Sequence, residues 1–242
     1  MAKHGKYGPL VRGFAALTAL FWGGAAVADA GCRLALVLAL DVSSSVDARE
    51  YDLQRVGLAS ALGSRDVRHA ILQGAPGHVA LSVYEWSGYR QQKLQLDWTV
   101  LDSHAAIDAA VATLAGMDRS HDDFPTSMGA ALAYGARLLQ REPACSRRVI
   151  DVSGDGVNNY RYGPAEAYRH FPLSDVTVNG LVILGDQPDV ARFYGEQVLR
   201  GPGAFMLMAD GFEAFEEAMT RKLYREINEI IIGGNAKTGA PG

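Results

Sequence analysis

The sequence has few of the residues that build the common catalytic centres. It contains two cysteines and six histidines in 242 residues, and the histidines lack the spacing of zinc ligands. The Gly-x-Ser-x-Gly pattern of many serine hydrolases is absent. The first predicted strand is followed by Asp-Val-Ser-Ser-Ser rather than by a glycine-rich phosphate-binding turn. These absences argue against a zinc enzyme, a hydrolase of that class and a dinucleotide-binding domain.

Basic residues are outnumbered by acidic ones. The chain carries 23 lysines and arginines against 27 aspartates and glutamates, for a formal charge of −4. Removal of residues 1–30 would take away three basic and one acidic side chain and change the charge to −6. An acidic chain of this kind is not expected to have nucleic acid or an anionic membrane as its main partner.

The one long apolar stretch stands at the N-terminus. Three basic residues precede the apolar residues 14–22, and Ala28 and Ala30 each end a small-residue cleavage pattern. We therefore predict that residues 1–30 are a signal peptide and that the mature protein is periplasmic or secreted. The alternative is a short membrane anchor, although Gly23 and Gly24 interrupt the stretch. No other segment is long and apolar enough to cross a bilayer after cleavage.

Beyond residue 31, apolar strand patterns alternate with helical patterns, which is typical of a mostly parallel sheet with helices on both faces. We predict that residues 91–98 pair with the strand before them as an antiparallel edge strand. We predict one α/β domain over residues 31–233 and a disordered tail over 234–242. The predicted strands are 33–40, 79–86, 91–98, 148–152, 176–184 and 204–208, and the predicted helices are 47–62, 103–114, 126–140, 188–199 and 212–232.

Oxygen-bearing side chains follow the ends of these predicted strands or begin a helix. Asp41, Ser43 and Ser45 follow the first strand, Thr126 begins a helix, and Asp155 follows the strand 148–152. Ligands of open parallel sheets gather outside the carboxyl ends of the strands. We therefore predict that these five residues converge on one metal site.

The chemistry of these side chains indicates which metal they would bind. Hydroxyl and carboxylate oxygens suit Mg²⁺, with Mn²⁺ and Ca²⁺ as alternatives. Two aspartates leave a divalent cation with few negative ligands, so that water or one further carboxylate can complete its coordination. The expected function is recognition of an unknown partner protein that supplies an acidic residue. We expect no catalytic residue.

The pattern Asp41-x-Ser43-x-Ser45, followed by Thr126 and then Asp155, resembles the von Willebrand factor type A (vWA) domain over residues 32–232. The resemblance implies a doubly wound α/β sheet and a metal-ion-dependent adhesion site (MIDAS). Residues 151–159 and 221–227 more narrowly resemble an exported bacterial group of single-vWA-domain proteins of unknown function. One departure is Pro125, because many vWA domains have glycine before the threonine.

The two cysteines stand at similar distances before the two aspartates. Cys32 precedes Asp41 by nine residues and Cys145 precedes Asp155 by ten. If the two strands are parallel neighbours, both cysteines lie at the far end of the sheet, within disulfide distance. An exported protein with an even cysteine count favours this bridge. The alternative is that Cys32 becomes a lipidated N-terminus.

Three other interpretations remain open at this point. Asp41 and the serines could only cap the following helix. The metal could only stabilise the fold of an exported structural domain. A metal-dependent hydrolase would need a nucleophile such as Ser43, Ser44 or Ser153, but no histidine stands near them in the sequence.

Several aromatic and charged residues lie near these motifs. Trp86, Tyr89 and Trp98 are interpreted as packing of the edge strand, with a partner-binding aromatic patch as the alternative. Asp122 and Asp123 are interpreted as solvated loop charges, with a role near the metal or at a partner as the alternative. Asn158 and Asn159 are interpreted either as residues that line the mouth of the site or as ordinary turn residues.

Overall fold

Six strands form one sheet in the computed structural model, which describes residues 1–2, 31–141, 145–185 and 187–228. The strands are β1 (Cys32–Asp41), β2 (His78–Trp86), β3 (Gln92–Val100), β4 (Arg147–Gly154), β5 (Thr177–Leu184) and β6 (Met206–Asp210). Their order in the sheet is β3-β2-β1-β4-β5-β6. Neighbours are parallel except for β2 and β3, which are antiparallel. The predicted sheet with one antiparallel edge strand is confirmed.

Helices cover both faces of this sheet. They are α1 (Ala48–Gly63), α2 (Arg65–Gln73), α3 (His104–Ala115), α4 (Met128–Leu139), α5 (Pro164–His170), α6 (Val190–Phe193) and α7 (Phe215–Asn228). A π-helical turn, Tyr194–Val198, continues α6, and a 3₁₀ turn, Phe212–Ala214, precedes α7. None of the described helices is long and apolar enough to cross a membrane.

The central strand β1 is apolar because it is buried on both faces. Its side chains alternate between the faces. Leu36 and Leu38 pack into a core with residues of α1, α2, α3 and α7. Val37 and Ala39 pack into a second core with residues of α4, α5 and α6. The polar end of β1 is therefore held in place by two hydrophobic cores.

Two helices in the described residues were not predicted from the sequence, and one predicted helix is shorter and less regular in the structure. The helices α2 and α5 have nine and seven residues, and so few turns carry little periodic signal. Ser64 follows α1 and is also the N-cap of α2, where its hydroxyl oxygen accepts a hydrogen bond from the Val67 N–H. The connection between α1 and β2 therefore contains a second helix. The predicted helix 188–199 is instead the short α6 and its π-helical turn. The helix predicted from residue 126 begins at Met128.

Other predictions fall outside the described residues. Of the predicted signal peptide, only residues 1–2 are described, and the predicted tail 234–242 and the end of the last helix after residue 228 are not.

The doubly wound order places its reversal at β1 and β4, which are adjacent and parallel. From β1 the chain builds outward through β2 and β3, and from β4 it builds in the opposite direction. The loops after β1 and β4 therefore diverge to opposite faces and leave a crevice between them, which is where open α/β sheets bind ligands. Asp41 ends β1 and Asp155 directly follows β4.

Candidate metal centre

The loop after β1 is folded around the carboxylate of Asp41. One carboxylate oxygen, Oδ1, accepts a hydrogen bond of 2.8 Å from the Ser43 N–H. This turn brings the hydroxyls of Ser43 and Ser45 to 3.2 Å from each other. The carbonyl oxygen of Asp41 accepts a hydrogen bond from Gln54 of α1, so the loop is fixed to the helix that follows it.

The serines of this loop do not cap α1. That cap is Asp47, whose carboxylate accepts a hydrogen bond from the Glu50 N–H while the Glu50 carboxylate accepts one from the Asp47 N–H. This capping box satisfies the first backbone donors of the helix. The interpretation of Asp41, Ser43 and Ser45 as a helix cap is therefore wrong, and their oxygens are available for another role.

Thr126 and Asp155 lie against these two serines. The Thr126 hydroxyl donates to the Ser43 hydroxyl oxygen across 3.3 Å, and the Ser45 hydroxyl donates to Asp155 Oδ1 across 2.9 Å. The structure thus brings together Asp41, Ser43, Ser45, Thr126 and Asp155 from three separate loops. Pro125 does not prevent the approach of Thr126 to Ser43.

The carboxylate of Asp41 is buried and forms no direct ion pair with a basic side chain of the described residues. The residue is 1% exposed, and its second oxygen, Oδ2, has no hydrogen-bond partner among the described residues. Burial, followed by the nearby charge of Asp155, raises the pKa of Asp41 to about 7. An uncompensated buried carboxylate is unfavourable, and a divalent cation at this position would remove the penalty. The donor set therefore fits a metal ion.

The cluster is poor in the side chains that dominate enzyme metal sites. The described residues contain no group of three or more histidines, cysteines, aspartates or glutamates that could hold a metal. The cluster instead provides hydroxyl oxygens, which are neutral ligands. Ser45 is exposed, and together with Asp155 it lines a surface cavity of about 370 Å³. The site is thus accessible from solvent on the side of Ser45 and Asp155.

Arg119 fixes the loop after β1 by hydrogen bonds to its backbone, and this role was not predicted from the sequence. Its guanidinium donates hydrogen bonds of 2.7–3.1 Å to the carbonyl oxygens of Val42, Ser43 and Val46. Its positive charge also lowers the pKa of Asp41, against the larger effects of burial and Asp155. No sequence signal marks Arg119, because a single arginine in a loop is ordinary until the fold places it under the carbonyls.

Two asparagines hold the loop of Thr126. The Asn159 side-chain oxygen accepts a hydrogen bond of 2.9 Å from the Thr126 N–H, and that of Asn158 accepts one of 2.8 Å from the Met128 N–H. The sequence suggested only that they line the mouth of the site or form a turn. Their role here is to fix the start of α4 and, with it, the direction of the Thr126 hydroxyl.

The candidate nucleophiles Ser43, Ser44 and Ser153 have no histidine hydrogen-bonded to them in the described residues. The Ser153 hydroxyl is buried and donates to the Ala39 carbonyl oxygen. Ser43 hydrogen-bonds within the cluster, and no hydrogen bond joins a histidine to Ser43, Ser44 or Ser153 in the described ranges. The serine–histidine pair of many activated nucleophiles is thus absent from the part of the chain that the structure describes.

The predicted disulfide joins Cys32 and Cys145 in the structure. Their Cα atoms are 4.6 Å apart, at the amino ends of β1 and β4. The bridge therefore lies at the opposite end of the same two strands that carry Asp41 and Asp155.

Solved structures of similar fold include a mussel byssus protein and pilus proteins. Proximal thread matrix protein 1 of the mussel byssus matches 84% of this chain and 50% of its own chain, with 13% identity and a TM-score of 0.61. Another structure of that protein is described as having a zinc-occupied MIDAS motif. The von Willebrand factor type A protein of Catenulispora acidiphila matches 81% of this chain and 43% of its own, with 16% identity and a TM-score of 0.59.

The PilB minor pilin of Streptococcus sanguinis is a further structure of this fold. It matches 84% of this chain and 64% of its own, with 14% identity and a TM-score of 0.59. The chain thus spans 43% to 64% of the length of these proteins, and at such identities the likeness concerns the fold alone. No curated protein matches the chain. The family described as "Protein of unknown function (DUF1194)" matches residues 31–231, so the chain belongs to that family and has the vWA fold.

Proposed function

We propose that this protein is an exported vWA domain that binds a divalent cation and uses it to hold an acidic residue of a partner protein. The observation that carries the proposal is the convergence of three hydroxyls, from Ser43, Ser45 and Thr126, on two carboxylates. One of these, that of Asp41, is buried with an oxygen that lacks a partner among the described residues. Such an arrangement is unfavourable alone and becomes favourable around a cation.

The proposed metal is Mg²⁺, with Mn²⁺ and Ca²⁺ as alternatives. Hydroxyl and carboxylate oxygens are hard ligands, and Mg²⁺ usually keeps several of its waters. The zinc-occupied site described for the mussel protein supports a divalent cation in this fold without deciding which one. Asp41, Ser43, Ser45, Thr126 and Asp155 would hold the cation directly or through water.

The proposed partner supplies a carboxylate because the site provides only two of its own. A divalent cation among neutral hydroxyls keeps affinity for a further anionic oxygen, and the exposed side of the cluster leaves room for it. The pilus and byssus proteins of similar fold support a role in protein recognition. Export is supported by the disulfide, since such bridges persist in oxidising compartments. We assign no catalytic role to any residue.

Metal binding is tested by isothermal titration calorimetry of the exported full chain with Mg²⁺. Asp41→Ala and Thr126→Ala are each expected to weaken binding at least about tenfold, since each removes a ligand whose loss is worth more than 1.4 kcal/mol. Ser44→Ala is the matched control, because Ser44 is exposed and its hydroxyl takes no part in the cluster. Equal affinities of the wild type and Asp41→Ala would contradict the site.

Partner recognition is tested by crosslinking in the exporting compartment, with wild type beside Asp41→Ala. The proposal expects a crosslinked protein that is lost with Asp41→Ala and with EDTA, while circular dichroism shows that the variant remains folded. Capture of the same protein under all three conditions would rule out a metal-bridged contact. Unfolding on metal removal would instead assign the cation a structural role.

A further inference from the structure

A second cavity adjoins the candidate metal centre. It has a volume of about 550 Å³ and lies between three loops, with Tyr89, Arg90, Phe124, Tyr160 and Arg161 among its lining residues. Pro125, which precedes the proposed ligand Thr126, also lines it. The cavity therefore begins one residue away from the metal site.

The loops around this cavity are hydrogen-bonded to the loops that carry the metal site. The Tyr160 N–H donates to the Thr126 carbonyl oxygen at 3.2 Å, and the Ser44 N–H donates to the Phe124 carbonyl oxygen at 2.9 Å. The Ser127 hydroxyl donates to the Tyr160 carbonyl oxygen. These bonds hold the cavity and the hydroxyl cluster in one fixed arrangement, so that a single ligand can contact both.

Exposed aromatic side chains concentrate here. Four phenylalanine, tyrosine or tryptophan side chains are exposed in the described residues, and three of them, Tyr89, Phe124 and Tyr160, line this cavity. Aromatic residues are enriched in protein interfaces, where they supply contact area at a small loss of side-chain entropy. Tyr89 is 40% exposed, whereas Trp86 at the end of β2 is fully buried.

Arg161 is held in an unusual conformation at the centre of this surface. It is the only non-glycine residue with a positive φ, 61°, in the described chain. Its guanidinium carbon lies 5.6 Å from the Tyr89 ring centre and 5.2 Å from the Tyr160 ring centre. Such backbone strain tends to occur at functional positions, and the two rings orient the guanidinium without neutralising it.

The cavity carries positive charge without a compensating carboxylate. Arg90 and Arg161 are both exposed, and neither forms an ion pair with a described residue. No aspartate or glutamate is among the lining residues, although Asp122 and Asp123 precede Phe124 in the chain. A local pair of free arginines in an acidic protein favours an anionic ligand.

We infer that this aromatic and basic cavity is the second half of the partner-binding surface and takes an acidic, extended protein segment. One carboxylate of that segment completes the metal coordination, and a second one binds Arg161 and Arg90. Apolar groups between them contact Tyr89, Phe124 and Tyr160. This inference rests on the proposed metal-dependent recognition, and it adds that a single acidic residue is not sufficient.

The test is selection of peptides from a random display library on the immobilised full chain in Mg²⁺, with elution by EDTA. The inference expects eluted peptides with at least two acidic residues and an aromatic or apolar residue close by. Synthetic versions of these peptides are then titrated against Arg90→Ala and Arg161→Gly. Glycine accepts the left-handed backbone of residue 161 without strain, so Arg161→Gly removes the guanidinium and leaves the loop unchanged.

Each arginine variant is expected to bind the selected peptides about tenfold more weakly, as for loss of a hydrogen bond between charged groups, with unchanged Mg²⁺ affinity. Arg65→Ala, an exposed arginine at the start of α2 and at the opposite end of the sheet, is the control and should bind normally. EDTA-eluted peptides that carry only one acidic residue, or that bind both variants as tightly as wild type, would overturn this inference and leave the proposed function standing. Absence of any EDTA-eluted peptide would overturn the proposed function as well.

Discussion

Asp41 keeps its buried carboxylate in a space that exists because residue 154 is glycine. A Cβ atom at position 154 would lie 2.8 Å from Asp41 Oδ2 and 2.9 Å from the Tyr194 hydroxyl oxygen. Both oxygens are buried and lack a hydrogen-bond partner among the described residues. Gly154 therefore decides where the Asp41 carboxylate can lie, although it contributes no ligand.

We predict that Gly154→Ala weakens Mg²⁺ binding at least about tenfold, because the methyl group would displace Asp41 Oδ2. We also expect the added methyl group to overpack this buried space and to lower the free energy of unfolding by about 1–3 kcal/mol. Calorimetric titration and urea unfolding measure the two effects. Gly156→Ala is the control, since its Cβ would meet only ordinary contacts, at 3.5 Å from Thr126 Oγ1 and from Gln187 Nε2. Normal Mg²⁺ affinity of Gly154→Ala would contradict the placement of the metal beside Oδ2.

The sequence identifies the side chains whose oxygens could bind a metal. It does not identify the residues that hold the loops of those side chains in place. Asp41 and Asp155 could be recognised because each follows an apolar strand. The supporting hydrogen bonds of Arg119 and Asn159 could not be recognised, because they join these side chains to backbone atoms of loops that are distant in sequence. A hydrogen bond between a side chain and a remote carbonyl or N–H leaves no periodic pattern.

The helix α7 is joined to the sheet by a buried group of charges. Lys222 Nζ lies 3.0 Å from Asp151 Oδ1 of β4 and 2.7 Å from Glu226 Oε1, and all three side chains are buried. Asn179 of β5 also donates to Glu226. Burial alone would lower the pKa of Lys222, but Asp151 and Glu226 hold it above its ordinary value. One lysine thus pairs with carboxylates from two elements.

We predict that Lys222→Met destabilises the protein by about 3–5 kcal/mol, because it leaves two buried carboxylates unpaired. Urea unfolding monitored by circular dichroism measures the change. Arg221→Ala is the matched control on the same helix, since Arg221 and Glu217 form an exposed pair at 3.7 Å and such pairs contribute less than about 1 kcal/mol. Equal midpoints for the two variants would show that the buried charges do not fix α7.

The elements themselves were partly predictable from their lengths. The strand β1 and the helix α1 are long enough to show a clear pattern, and their ends lie within one residue of the predicted ones. The helices α2 and α5 are too short to repeat their apolar positions. The function of Lys222 was also hidden, because a lysine in an amphipathic helix is expected on the solvent side until tertiary packing covers it.

Over the whole molecule, the disulfide and the candidate metal centre lie at opposite ends of the same two strands. Cys32 begins β1 and Asp41 ends it, and ten residues of extended chain span roughly 30 Å. The bridge closes a loop between residues 113 apart in sequence. It therefore constrains the unfolded chain strongly, and it does so at the end of the strands opposite the candidate metal centre.

We predict that the double variant Cys32→Ala/Cys145→Ala lowers the free energy of unfolding by about 2–5 kcal/mol, as expected for loss of a native disulfide that closes a long loop. Its Mg²⁺ affinity should stay within about twofold of wild type, a difference below 0.5 kcal/mol. Urea unfolding and calorimetric titration check the two parts. A large loss of Mg²⁺ affinity in the folded variant would mean that the two ends of the strands are coupled.

Sequence patterns were sufficient to predict the sheet, its antiparallel edge, the disulfide and the five oxygen-bearing residues that lie together in the structure. These follow from apolar periodicity, strand ends and residue chemistry, which are local properties of the chain. Only the folded chain shows that Gly154 opens a space for Asp41 and that Arg161 stands between Tyr89 and Tyr160. These depend on contacts between loops distant in sequence, whose distances and burial are set only when the two cores pack on the sheet.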